Sequence, residues 1–106
     1  MINTNDQRPQ LEPHNGMDIF QRIYIGDPTA VEDCTLTYGA YIRELANYNM
    51  STQEEAENAA AAIFDDIRAF ARSENGMNTR KPEVELIRQI AVRSIVKQRW
   101  NGRKSV

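Results

Sequence analysis

A chain of 106 residues with 41% hydrophobic and 26% charged side chains has the composition of one globular unit, too short for two independent cores and too apolar for a disordered chain. Its one cysteine excludes an internal disulfide, and no apolar run approaches the roughly 20 residues that a membrane-spanning helix needs. The net charge of −2 hides a strong segregation: residues 1–50 carry three basic and seven acidic groups, residues 51–79 two and six, and residues 80–106 eight and two.

A basic last quarter thus follows an acidic body. In the absence of a signal-peptide pattern, the expected location is the cytoplasm, with no membrane partner. A chain of this size buries only roughly two-thirds of the surface its unfolded form exposes, so association with a second copy is an expected source of extra stability.

Residues 1–16 hold Pro9 and Pro13, and only Ile2 and Leu11 as large aliphatic side chains after Met1. That composition predicts a mobile N-terminal arm, with a single helical domain over 17–106. Met17, Phe20, Ile23 and Tyr24 then recur at helical spacing. The run Ile23-Tyr24-Ile25 also suits a strand, but helix is the expectation.

Gly26-Asp27-Pro28 ends this element and starts the next, with Asp27 as N-cap and Pro28 in the first helical position, where its missing donor costs nothing. Val31, Cys34, Tyr38, Tyr41, Leu45 and Tyr48 follow in steps of three and four, and Ile42 widens their stripe. Thr35, Thr37 and Gly39 weaken helix propensity, so a break near residues 35–37 is the alternative.

Ser51 and Glu54 have capping-box spacing, and Glu54, Glu55 and Glu57 lie where the positive end of a helix dipole favours them. Ala56, Ala60, Ile63, Phe64, Ile67, Phe70 and Ala71 form the apolar stripe of this third helix, with Asn75-Gly76 as its stop. The run Ala59 to Ala62 predicts close approach of another helix.

A fourth helix is expected from about Pro82 to Trp100, ending at Asn101-Gly102. Val84, Leu86, Ile87, Ile90, Ala91 and Ile95 share one broad face. Val92, Val96 and Trp100 form a second stripe roughly opposite, flanked by Glu85, Arg88, Gln89, Arg93 and Arg99. One edge helix needs only the first face, so either the element at Met17–Ile25 covers the second or a partner does.

No catalytic constellation is present. His14 lies in the arm, where nothing packed would fix its tautomer or shift its pKa, and Cys34 sits on an apolar stripe with no neighbouring base. One Cys and one His twenty positions apart match no zinc spacing, Asp65 and Asp66 point about 100° apart on a helix, and the glycines form no phosphate loop. The expectation is a protein that is not an enzyme and uses no metal or cofactor.

Positive charge concentrates in Arg80, Lys81, Arg88, Arg93, Lys97, Arg99, Arg103 and Lys104, with Trp100 available for stacking, which is a nucleic-acid footprint. A helix-turn-helix using the helix from residue 52 is discounted, because it would aim Glu54, Glu55 and Glu57 at DNA. Equally weighted is an internal role, in which the fourth helix packs antiparallel to the third and its cations meet those three glutamates.

The reading is therefore an all-α bundle of three to four helices with a mobile N-terminal arm. Its expected function is that of a small regulator, adaptor or inhibitor docking on a larger protein. The alternative is a nucleic-acid-associated regulator contacting its ligand through Arg80, Lys81, Lys97, Arg103 and Lys104. The strip of Val92, Val96 and Trp100, rimmed by Arg93 and Arg99, is the candidate surface for a protein partner or a homodimer.

Overall fold

The computed structural model describes residues 17–73, 76–78 and 80–104, with side chains as far as Trp100; the expected N-terminal arm and His14 lie outside the described residues. The fold is all-α. Four helices, α1 (Ile19–Tyr24), α2 (Ala30–Asn49), α3 (Gln53–Arg72) and α4 (Glu83–Lys104), form a small bundle with no strand among the described residues.

The first element is a helix, opened by a capping box in which Gln21 N–H donates to Asp18 Oδ1 (2.9 Å) and Asp18 N–H donates to Gln21 Oε1 (3.1 Å). Ile19, Phe20 and Ile23 are buried where α1 packs on α3 and α2, and the Phe20 ring meets Phe70 edge to face at 5.3 Å. Tyr24 is exposed. Gly26 reverses the chain at φ +86°, a conformation that side-chain-bearing residues adopt only with strain.

Asp27 and Pro28 do not open α2. Asp27 Oδ1 instead accepts the Thr29 N–H (3.0 Å) and hydroxyl (2.9 Å), and the helix begins at Ala30. Oδ2 of Asp27 is taken by Arg22, which is only 1% exposed although it is a cation. Arg22 Nε reaches Asp27 Oδ2 at 2.8 Å, and Nη2 reaches Asp33 Oδ2 at 2.7 Å and Thr29 Oγ1 at 2.9 Å, so each charge is paired and hydrogen-bonded.

α2 runs unbroken through residues 35–37. Its buried stripe keeps Cys34, Tyr38 and Ile42 of the expected row and completes it with Ala30, Gly39 and Ala46; Tyr41 and Tyr48 are exposed, and Val31 and Leu45 are only half-buried. Rows of residues four apart form the ridges along which helices interdigitate, and small side chains permit the closest approach, so packing selected the row with Ala46 over the row with Tyr48.

α3 is the central helix, packed on α1, α2 and α4. Its cap is one residue later than expected: Glu55 N–H donates to Thr52 Oγ1 (3.0 Å), and Glu55 Oε1 accepts the N–H of Thr52 (3.2 Å) and of Ser51 (3.1 Å). Ala56, Ala59, Ala60, Ile63, Ile67 and Ala71 are buried, while Phe64 and Phe70 sit half-buried at the core margin. The helix stops at Arg72, before Asn75-Gly76. Gly76 serves close approach instead, since a Cβ there would lie 1.8 Å from the Ala71 carbonyl oxygen.

α4 is pinned at its start by Glu83, whose carboxylate accepts the Ile19 N–H (2.9 Å) and the Tyr38 hydroxyl, joining α4 to α1 and α2. Burial and this hydrogen bond push the Tyr38 hydroxyl pKa well up. Leu86, Ile87, Ile90, Ala91, Ser94 and Ile95 face the core, and Val84 is exposed. The helix continues through Asn101-Gly102 to Lys104.

Candidate nucleic-acid interface

The buried residues of α4 occupy one side, and at about 100° per residue the opposite side carries Val92 and Val96 along its middle. By the same spacing Glu85 lies in line with these valines two turns before Val92, with Arg88 and Arg99 along one flank and Gln89, Arg93 and Trp100 along the other. Val92 is 48%, Val96 60% and Trp100 56% exposed. α1 does not cover this strip, because Ile19, Phe20 and Ile23 commit it to α3 and α2.

The connection before α4 extends the Arg93 flank. Lys81 Nζ donates to Gln89 Oε1 at 3.3 Å, which draws its ammonium alongside the first turns of the helix. Further along, Lys97 lies one turn beyond Arg93 towards α3, 3.5 Å from Asp66 Oδ2. Lys81, Arg93 and Lys97 therefore follow one edge, and Arg88 and Arg99 the other. Arg80 is exposed in the connection, and the side chains of Arg103 and Lys104 lie outside the described residues.

Among the described residues, no α4 cation pairs with the start of α3. Glu55 is occupied by its capping box, Glu57 accepts from Gln53 Nε2 at 3.1 Å, and Lys97–Asp66 is the one ion pair between α3 and α4 among the described residues. Arg88, Arg93 and Arg99 form no ion pair among those residues and are exposed. Of the three glutamates expected to balance α4, Glu55 and Glu57 are engaged within α3, and no described cation of α4 pairs with any of them.

The groups with catalytic potential stand apart. Cys34 is buried in the core, and desolvation pushes its thiol up to about 11, which favours the inert thiol over a nucleophilic thiolate. Asp65 pairs with Arg68 on its own helix and Asp66 with Lys97, so the two carboxylates diverge.

Two polar residues that organise the site's scaffold escaped sequence reasoning, Arg22 and Glu83. Arg22 carried a faint signal, a cation among the apolar positions of α1 with Asp27 and Asp33 following. Glu83 carried none, because its partners Ile19 and Tyr38 are 64 and 45 positions away.

No helix among the described residues is long and apolar enough to cross a membrane. In comparison with known proteins, no family model matches the chain, and no curated protein or solved structure shows significant similarity to it.

Proposed function

We propose that the protein is a small regulatory protein without catalytic chemistry that binds nucleic acid through the outward face of α4, single strands in preference to duplex. The supporting observation is that the arginines of this face are exposed, unpaired with α3 and arranged around an apolar strip with an accessible indole. Cations not already paired within the protein are available to neutralise phosphates and release the counterions condensed on the nucleic acid, a main source of affinity for a polyanion. The preference for single strands follows from the middle of the face. A helix that reads a duplex groove presents hydrogen-bonding groups to base edges, whereas Val92 and Val96 offer none and Trp100 offers a stacking surface for an unpaired base.

Trp100 is the sole tryptophan, so its intrinsic fluorescence reports on the site directly. Titration with a single-stranded oligonucleotide of about 15 nucleotides in about 50 mM salt is expected to quench it, and the effect should weaken steeply as salt rises. Anisotropy of a labelled strand should show Trp100→Ala weakening binding by roughly five- to a hundredfold, the range for loss of one stacked base. Absence of binding at low salt, or equal affinity for duplex, would refute the proposal.

A second reading, docking on a larger protein, draws support from α2, where exposed Tyr41 and Tyr48 line an open groove with Glu44, Leu45 and Asn47. Tyrosine is enriched at protein interfaces. Self-association through Val92, Val96 and Trp100 is the remaining occupancy of α4, and it brings Arg93 and Arg99 near their own copies. Light scattering at high micromolar concentration, with and without oligonucleotide, separates self-association from nucleic-acid binding.

A further inference from the structure

We infer that Asp66 of α3 is a built-in competitor for the nucleic-acid face of α4: by holding Lys97, it occupies the place of a phosphate and sets the affinity of the face below what its cations would otherwise give. The inference rests on the proposed nucleic-acid reading and concerns its regulation. Lys97 is the one α4 cation among the described residues held by a carboxylate, at 3.5 Å, and both groups keep contact with solvent, with the Lys97 side chain 60% and that of Asp66 34% exposed.

Position gives this pair its consequence. Lys97 lies one turn from Arg93 and within one turn of Trp100, on the edge of the face that borders α3. A strand whose base stacks on Trp100 and whose phosphate meets Arg93 places its next phosphate near Lys97. There it encounters the carboxylate first. Asp66 opposes binding twice, by engaging the ammonium and by repelling the incoming anion at a distance shorter than the roughly 10 Å screening length at moderate salt. Asp65, its neighbour in sequence, does not share this role because its carboxylate is turned to Arg68.

The test is anisotropy titration of a labelled single strand across a salt series with wild type, Asp66→Asn, Lys97→Met and the double variant. Asparagine keeps size and hydrogen bonding while removing the charge. Asp66→Asn is expected to tighten binding by roughly threefold or more at low salt, and to steepen the slope of log affinity against log salt by about 0.7, the value for one further phosphate on a single strand. In the Lys97→Met background the steeper slope should disappear. Binding by the wild type with no gain in Asp66→Asn, or a slope change that persists without Lys97, overturns the inference while leaving the nucleic-acid reading intact. No binding by any of the four proteins overturns both. Circular dichroism of each variant, expected to match wild type at the exposed Lys97 and the half-buried Asp66, excludes misfolding as the cause.

Discussion

Replacing Arg22 by Met retains most of the apolar stem and deletes the charge, so it isolates what the buried guanidinium does. In the native protein three hydrogen bonds tie it to Asp27, Asp33 and Thr29, closing α1 onto the first turn of α2. Removing one member of a buried ion pair typically costs about 3–5 kcal/mol, chiefly because the partner stays desolvated. Here the partners are not fully buried, with Asp27 14% and Asp33 25% exposed, so water partly takes over from Arg22 and the lower end, about 3 kcal/mol, is expected.

The cost should also depend on pH. The Thr29 backbone hydrogen bond first, and Arg22 second, lower the Asp27 carboxyl from its ordinary 3.8 to about 2. A carboxylate with a depressed native pKa contributes stability that is fully present above about 4 and is lost as pH falls towards 2. The variant loses only the Arg22 share, so the gap between the two proteins should be widest at neutral pH and narrow below about 4, without closing. Urea denaturation from neutral pH down to about 2.5 measures this. A cost under about 1 kcal/mol at neutral pH, or one independent of pH, would refute the account of Arg22 as a paired buried charge.

Phe20→Ala should cost about 4 kcal/mol and Phe64→Ala about half that, since Phe20 is fully enclosed and packs edge to face on Phe70 while Phe64 is only half-buried; equal losses in urea would show that the core is centred elsewhere. Ser94→Ala should be neutral or raise stability by up to about 1 kcal/mol, because the Ser94 hydroxyl is buried and has no hydrogen-bond partner among the described residues; a drop in the thermal midpoint would reveal a missed partner. Gly76→Ala should cost more than about 2 kcal/mol in the same assay, as its Cβ would overlap the Ala71 carbonyl and force the α3–α4 connection to move.

The four helices were legible because apolar residues recur in steps of three and four and because caps and breakers punctuate them. Their ends were less legible for a specific reason. Ser51/Glu54 and Thr52/Glu55 have identical capping spacing, and only the packed helix selects the second pair. The face of α2 was read only in part: Cys34, Tyr38 and Ile42 are core, but large side chains were taken to mark its edge, whereas the residues that bring helices together include Gly39 and Ala46, whose burial follows from what they lack. On α4 the outward strip was legible from spacing alone. Whether α1 covered it was not, since that depends on where Phe20 finds Phe70.

The two faces of α4 differ in what they contribute to the bundle. Its core face is formed by Leu86, Ile87, Ile90, Ala91 and Ile95, while Val92 and Val96 lie outside it, and their exposure leaves apolar area in contact with water. Such a strip is a candidate contact surface, and in the proposed reading the surrounding arginines select an anionic occupant. Val96→Glu tests both halves of this statement. At a position 60% exposed, the substitution should change folding stability by no more than about 0.5 kcal/mol, the range of ordinary surface changes. It should nevertheless abolish nucleic-acid binding at moderate salt, because the new carboxylate stands between Arg93 and Arg99 in the path of the phosphates. A variant that unfolds would assign the strip to the core. One that folds and binds as wild type would remove α4 from the interface.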